Sequence, residues 1–181
     1  MSYIDGEIDK IIQIEGGYVN DPADSGGETN FGITVATARR YGYQGEMKNM
    51  SRQIAHDIYK AEYWEGPGFD KVALVSEMVA SKLFDIGVNS GQHRASTYLQ
   101  RCLNVMNNQA KYWKDLKVDG KIGRVTLDAL SGYYARRGSQ GLTVLHTALT
   151  CLQGAGYIEL AERREKDEKF VYGWIANRVV K

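Results

Sequence analysis

The chain has 181 residues, of which 25% are charged and 43% are hydrophobic, and its formal net charge is +1. This length suits one domain, or one domain with a small appendage, and it is sufficient for a hydrophobic core. The first residues lack the basic and apolar regions of a secretory signal peptide, and no apolar run approaches the roughly 20 residues of a membrane-spanning helix. We therefore expect a soluble protein that is made in a cytoplasm.

Charge is divided unevenly along the chain. Residues 1–91 carry 8 Lys or Arg against 14 Asp or Glu, whereas residues 92–181 carry 15 against 8. A basic half suits an anionic partner such as a wall polymer or an outer-membrane surface, although solvated helix faces explain it equally well. Because no nucleic-acid-binding motif accompanies the charge, we expect no nucleic-acid partner.

Cysteine and histidine give no sign of a metal or redox centre. Cys102 and Cys151 each lie within an apolar-periodic segment, and we expect both to be buried free thiols in a reducing compartment. His56, His93 and His146 are scattered, without Cys or His partners at the spacing of metal ligands. We expect neither a metal nor a cofactor.

The first predicted element is an amphipathic helix that ends at a glutamate. Ile8, Ile11 and Ile12 share one face, and Glu15 lies on the same stripe. The two glycines that follow would end the helix there. Burial and the negative end of the helix dipole would both raise the pKa of Glu15, as a general acid requires. The alternative is a glutamate that points into solvent from a frayed helix end.

A polar, turn-rich stretch follows Glu15 and reads EGGYVNDPADSGGETNFGIT as far as Thr34. Its glycines, proline and Asn or Asp residues predict a short irregular β-hairpin. Glycosidic cleavage needs an acid for the leaving oxygen and a second carboxylate that activates water or stabilises positive charge. We assign the first role to Glu15 and the second to Asp24, with Thr29 holding a water beside it. Turn capping is the preferred explanation for Asp21 and the alternative one for Asp24.

The remaining chain is predicted to be helical in the first half. Thr34 caps a short helix over residues 35–41, and Ser51 caps another that runs to about residue 64. A third helix, over residues 74–89, is apolar enough to be central.

That third helix carries two polar residues on one face. Asp85 and Asn89 are spaced at i and i+4 and interrupt the apolar pattern. They could present hydrogen-bonding groups to sugar hydroxyls, or they could hold the catalytic loop through structural hydrogen bonds.

The second half is also predicted to be helical. One helix covers residues 91–106, and another begins near Leu142 and is interrupted by the Gly-Ala-Gly of residues 154–156. Phe170 and Trp174 lie four residues apart near the end of the chain and should pack against the body. No linker rich in Ser, Thr or Pro separates the halves, so we expect one compact unit.

The chain resembles glycoside hydrolase family 108, most densely at residues 15–33, 84–100, 119–130 and 170–178. EGGYVNDPADSGGETNFGIT is similar to the family signature, and FDIGVNSGQHRASTYLQ is similar to a second family stretch. VDGKIGRVTLDAL looks like the DGxxGxxTxxAL core of a peptidoglycan-binding helical repeat. The resemblance covers most of the chain. It implies a phage-type endolysin, an N-acetylmuramidase that cuts the β-1,4 bond between N-acetylmuramic acid and N-acetylglucosamine.

The resemblance implies a site and an architecture. Glu15, Asp24 and Thr29 would be catalytic, although the four residues between Asp24 and Thr29 are one fewer than phage lysozymes usually have. The residues that we assign to substrate binding are Tyr18, Asn20, Asn30, Asp85 and Asn89. The fold would be mainly α and lysozyme-like, with one small irregular β-hairpin at the active site. Residues 1–92 would form the catalytic lobe and residues 93–181 a helical lobe that resembles a peptidoglycan-binding region.

These assignments carry expectations about partners and leave alternatives open. The partner would be the glycan strands of peptidoglycan, and the protein would be a monomer. It would be synthesised in the cytoplasm of a host bacterium, leave through a separate holin-type pore and act on the wall in the periplasm. A lytic transglycosylase that uses Glu15 is one alternative, and a non-catalytic wall-binding or secretion-accessory protein is the other.

Overall fold

The computed structural model describes residues 3–20 and 27–180, apart from the side chains of Ile14 and Glu15. The chain divides into two compact units, Met1–Gly66 and Pro67–Lys181. The described residues form eight α-helices and one two-stranded sheet, which confirms the mainly α, lysozyme-like fold with a single small hairpin. The elements are α1 (Tyr3–Glu15), β1 (Thr29–Asn30), β2 (Ile33–Thr34), α2 (Val35–Tyr41), α3 (Arg52–Tyr59), α4 (Phe69–Ala73), α5 (Glu77–Ser90), α6 (Gln92–Val105), α7 (Arg124–Arg163) and α8 (Glu168–Arg178).

Helix α1 of the first unit ends where the sequence predicts. Ile4, Ile8 and Ile12 form its buried face, as the i, i+4 spacing requires. Glu15 is its last residue. Gly16 follows with a φ of 76°, the left-handed conformation that commonly terminates a helix.

The next two helices begin at side-chain caps. Thr34 Oγ1 accepts a hydrogen bond from the backbone N–H of Thr37 at 3.2 Å, and Ser51 Oγ accepts one from that of Ile54 at 3.2 Å. Each bond satisfies a donor that the first turn of a helix leaves free. Both predicted caps are confirmed, and helix α3 continues as a π-helix over Lys60–Glu65.

The sheet is a hairpin with a two-residue turn. Strands β1 and β2 are antiparallel, with Thr29 opposite Thr34. The turn residues Phe31 and Gly32 have φ values of 52° and 73°. Two successive positive φ angles define a type I′ turn, whose twist matches that of the flanking strands.

Helix α5 of the second unit is largely buried and begins later than the sequence predicts. Ser76 caps it by accepting a hydrogen bond from Val79 N–H at 3.2 Å, so the helix starts at Glu77. The predicted start near residue 74 is wrong because Leu74 belongs to the exposed connection after α4. The apolar face packs inward through residues that include Leu83 and Ile86.

Helix α7 contains one bend, and it is not at the predicted glycines. Gly138 has a φ of 60° and a ψ of −159°, whereas the helix continues through residues 154–156. A Cβ at Gly154 would lie 3.4 Å from the Val179 side chain, and one at Gly156 would lie 2.6 Å from the Tyr98 hydroxyl. The predicted interruption is wrong because these glycines allow close packing rather than ending the helix.

The end of the second unit packs through aromatic rings. The Trp174 ring lies 5.4 Å from that of Tyr157 and is stacked 5.8 Å from that of Phe170, centroid to centroid. This arrangement confirms the predicted docking for Trp174, which packs on Tyr157 of α7. Phe170 is 46% exposed and contacts Trp174 within its own helix, so the prediction that it packs against the body is wrong. Both cysteines are free, but only Cys102 is buried, and burial raises its thiol pKa to about 11. The prediction that Cys151 is also buried is wrong, since it lies on the exposed surface of α7.

Candidate active-site region

The side chains of the two predicted catalytic carboxylates, Glu15 and Asp24, are not among the described parts of the chain. Glu15 ends helix α1, but its side chain and the whole of Asp24 lie outside the described residues. Val19 and Thr29 flank the intervening segment and exchange two backbone hydrogen bonds, at 2.9 Å and 2.8 Å. The segment that carries Asp24 therefore begins and ends on one backbone bridge, a few residues after the end of α1.

Thr29 occupies a fixed position on the hairpin. It bonds to Val19 through both backbone groups and faces Thr34 across the sheet. Its side chain is half-buried. These pairings immobilise the backbone that carries the hydroxyl, which is a condition for positioning a ligand or a water.

Tyr18 links the two ends of the same segment. Its hydroxyl donates to Glu28 Oε1 at 2.7 Å, and this bond is the main reason why the pKa of Tyr18 is raised. The Tyr18 ring and Asn20 are both exposed. Glu28 has no role among the sequence predictions, and its pairing with a residue ten positions earlier depends on the Val19–Thr29 bridge rather than on a local motif.

Asn30 is enclosed by the first unit. Its side chain is only 3% exposed, and Nδ2 donates to the carbonyl of Met47 at 2.7 Å. The bond joins the hairpin to the 3₁₀ turn over Met47–Asn49. The sequence predicts that Asn30 binds substrate, but its side-chain N–H group donates to the protein backbone instead.

Asp85 and Asn89 are brought together in the second unit, within a network of internal partners. The Asp85 carboxylate accepts hydrogen bonds from Arg178 Nη1 at 2.6 Å and Gln153 Nε2 at 2.9 Å. Asn89 Nδ2 donates to the Asp85 carbonyl at 2.7 Å. The buried Lys82 ammonium lies 3.5 Å from the same carboxylate. Asp85 therefore holds three segments of its own unit together, whereas the other predicted site residues belong to the first unit.

Residues 3–20 and 27–180 contain neither a metal-binding cluster nor a membrane-spanning helix. No group of three or more His, Cys, Asp or Glu side chains in that part of the chain is arranged to hold a metal ion. Among the same residues, no helix combines the length and apolar character needed to cross a membrane.

Comparisons with known proteins assign both halves of the chain. Residues 8–91 match the family described as glycosyl hydrolase 108, and residues 94–179 match the family described as a predicted peptidoglycan domain. Among solved structures, SagA of Brucella abortus is similar, with 25% identity, coverage of 97% of each chain and a TM-score of 0.57. No curated protein shows significant similarity to the chain.

Fold and family matches together define a glycoside hydrolase that acts on peptidoglycan. More particularly, the match to glycosyl hydrolase 108 is followed along the chain by the match to the predicted peptidoglycan domain. The resemblance that the sequence motifs carry is thereby confirmed, and peptidoglycan is the partner of the protein.

Proposed function

We propose that the protein is an N-acetylmuramidase that hydrolyses the β-1,4 bond between N-acetylmuramic acid and N-acetylglucosamine. The observation that carries the proposal is the position of Glu15 as the last residue of α1, inside the region that matches glycosyl hydrolase 108. A helix dipole favours the neutral form of a carboxyl group at the C-terminal end. A group held in that form can donate a proton to the leaving oxygen.

Glu15 acts as the general acid in this mechanism, and Asp24 with Thr29 positions the attacking water. Protonation of the glycosidic oxygen breaks the bond to C1 as positive charge develops on the sugar ring. The water attacks C1 from the opposite face and transfers its proton to Asp24, which inverts the configuration. The backbone N–H and carbonyl of Thr29 are both hydrogen-bonded to Val19. This fixed backbone supports the positioning role of the Thr29 hydroxyl.

The test is mass spectrometry of purified peptidoglycan digested with the wild-type protein, Glu15→Gln and Glu7→Gln. Glu7 belongs to the same helix and pairs with Lys10 at 2.7 Å, so Glu7→Gln is a control with the same charge change. We expect muropeptides with reducing N-acetylmuramic acid ends from the wild type and the control. Glu15→Gln should be slower by about 10²–10⁴-fold, the usual contribution of a general acid.

The products also separate the rival functions. Ends lighter by one water, in the 1,6-anhydro form, would identify a lytic transglycosylase that uses the same acid. Full activity in Glu15→Gln would remove the proposed mechanism. The absence of soluble product from the wild type would leave a wall-binding protein.

We further propose that the protein is a monomeric bacteriolytic endolysin of phage type. It would be made in the host cytoplasm and reach the wall in the periplasm through a separate holin-type pore. The resemblance of the segment from Glu15 to Thr34 to phage-type enzymes supports this proposal. Expression in bacteria should cause lysis only when a pore-forming protein is produced with it, and lysis without a pore would contradict the export route.

A further inference from the structure

The second unit contains a cavity beside the bend in α7. Its volume is about 690 Å³, within the range of roughly 300–1,000 Å³ that is typical of ligand sites. The end of α6, the loop that follows it and the turns of α7 around Gly138 line the cavity. We call it the α7-bend cavity. All of its lining residues belong to the region that matches the predicted peptidoglycan domain.

The lining combines aromatic rings with polar side chains that have no partner among the described residues. Tyr112 and Tyr133 supply the rings, and Asn108, Arg137 and Gln140 supply the polar groups. The Tyr133 hydroxyl donates to the carbonyl of Gly141 at 2.8 Å, which fixes that ring as part of the wall. Within the part of the chain that the structure describes, the side chains of Arg137 and Gln140 make no hydrogen bond or ion pair. Their side chains are exposed and available to a ligand.

The Tyr112 ring is supported from one side. The guanidinium carbon of Arg136 lies 3.7 Å from the ring centroid, and Arg136 lines a smaller adjoining hollow rather than the α7-bend cavity. The ring of Trp113 lies 6.1 Å from Tyr112 and meets Tyr133 edge-on at 6.4 Å. Tyr112 is therefore held in place by its neighbours, and it also lines the α7-bend cavity.

The loop that carries Tyr112 is held in an unusual conformation. Residues 108–110 have φ values of 57°, 58° and 59°, in the left-handed region. The left-handed region is strained for residues other than glycine, and less so for asparagine, so Gln109 and Ala110 carry most of the strain. The buried Asn107 side chain stabilises the loop by accepting from Ala110 N–H at 2.8 Å and donating to Asp115 at 2.6 Å. Strain of this kind concentrates at functional sites, where it preorganises the wall of a pocket.

We propose that the α7-bend cavity binds peptidoglycan, with a sugar ring on Tyr112 and a nearby carboxylate on Arg137. The C–H face of a pyranose packs on an aromatic ring through dispersion, and guanidinium binds carboxylate through paired hydrogen bonds. The carboxylate is the lactyl group of a bare N-acetylmuramic acid or an acid of its stem peptide. The surplus of 15 Lys or Arg over 8 Asp or Glu in residues 92–181 favours such an anion. The inference rests on the peptidoglycan substrate of the proposed function.

The test measures binding of three soluble probes to the full chain by saturation-transfer NMR. Chitobiose has no carboxylate, the disaccharide N-acetylglucosaminyl-N-acetylmuramic acid has the lactyl carboxylate, and its tetrapeptide derivative has stem carboxylates. The variants are Tyr112→Ala and Arg137→Gln. The matched controls are Tyr134→Ala and Arg124→Gln, two exposed residues of α7 outside the cavity lining.

We expect the wild type to bind at least one acidic probe about tenfold more tightly than chitobiose. Arg137→Gln should remove that tenfold advantage and leave chitobiose binding unchanged, because the glutamine cannot form charge-assisted hydrogen bonds with the carboxylate. Tyr112→Ala should weaken all three probes, and both controls should bind as the wild type does. The acidic probe that depends on Arg137 identifies the source of the carboxylate.

Wild-type affinity in both Tyr112→Ala and Arg137→Gln would overturn the inference. Because Tyr112 packs on Trp113, Tyr112→Phe serves as a second variant that retains the ring. It should bind like the wild type, and loss of binding there would show that stacking is not the contact. Digestion of peptidoglycan separates the two claims: binding that depends on Arg137 without hydrolysis refutes only the enzyme, and hydrolysis without such binding refutes only the cavity.

Discussion

Replacing Asp85 with Asn should destabilise the second unit by about 2–3 kcal/mol. Arg178 at 2.6 Å and Gln153 at 2.9 Å both donate to the Asp85 carboxylate. Hydrogen bonds to a charged group contribute about 1.5–3 kcal/mol each, but the side chains of Asp85 and Arg178 are 30% and 21% exposed, so solvent reduces that contribution. Lys82, only 7% exposed, would lose its nearby anion, which adds to the cost.

Urea unfolding followed by far-UV circular dichroism measures this loss. A destabilisation of 2–3 kcal/mol corresponds to a fall in Tm of about 4–12 °C for a protein of this size. Asp128→Asn is the matched control, because its carboxylate is 71% exposed and lies 3.7 Å from Arg124. A surface pair of this type contributes little, so the control should unfold like the wild type.

Kinetics distinguish this structural role from the substrate-binding role that the sequence assigns to Asp85. A structural role predicts an unchanged KM for peptidoglycan at a temperature where the variant remains folded. If Asp85→Asn had the same free energy of unfolding as the wild type and a tenfold higher KM, the structural role would be refuted and Asp85 would be a substrate ligand.

Two other substitutions test the second unit. Gln100→Leu should cost about 1–3 kcal/mol because it removes the hydrogen bonds of the buried Gln100 side chain to the partly exposed backbone of Gly120 and Lys121. An NMR titration should show the pKa of Asp119, lowered chiefly by its hydrogen bond to Gln100, return toward its ordinary value. Burial, and then the charge of Lys82, lower the pKa of His146, so the unfolded chain binds more protons and stability falls as the pH drops below about 6.5. Urea unfolding at pH 7.5 and 5.5 should show a smaller difference in His146→Gln than in the wild type, and an equal difference would contradict this assignment.

Sequence predicts the elements of this fold where the determining chemistry is local. The hydroxyls of Thr34 and Ser51 cap the helices that follow them, because a cap needs only a donor three residues ahead. Glycine is ambiguous, since it can end a helix or admit a close neighbour. Which of these applies at Gly156 depends on Tyr98, and that contact joins residues far apart in the chain.

The same limit applies to the candidate site. The dense carboxylates and turn residues between Glu15 and Thr34 predict a catalytic segment, and this segment lies within residues 8–91, which match glycosyl hydrolase 108. The partner of Asp85 lies 93 residues later, at Arg178, where no periodicity could indicate it. The α7-bend cavity was missed for the same reason, because the bend at Gly138 and the loop before Tyr112 have no common sequence motif.

A carbohydrate site in the second unit would affect polymer and oligomer substrates differently. A chain held on a glycan strand by Tyr112 and Arg137 keeps its catalytic residues at a raised effective concentration near further bonds of that polymer. Short soluble oligomers cannot occupy a second site at the same time, so they gain nothing from it. Loss of the cavity should therefore raise KM for intact peptidoglycan while leaving kcat unchanged, and it should leave both constants unchanged for short oligomers. Equal effects on the two substrates would mean that the cavity residues act through the catalytic domain itself.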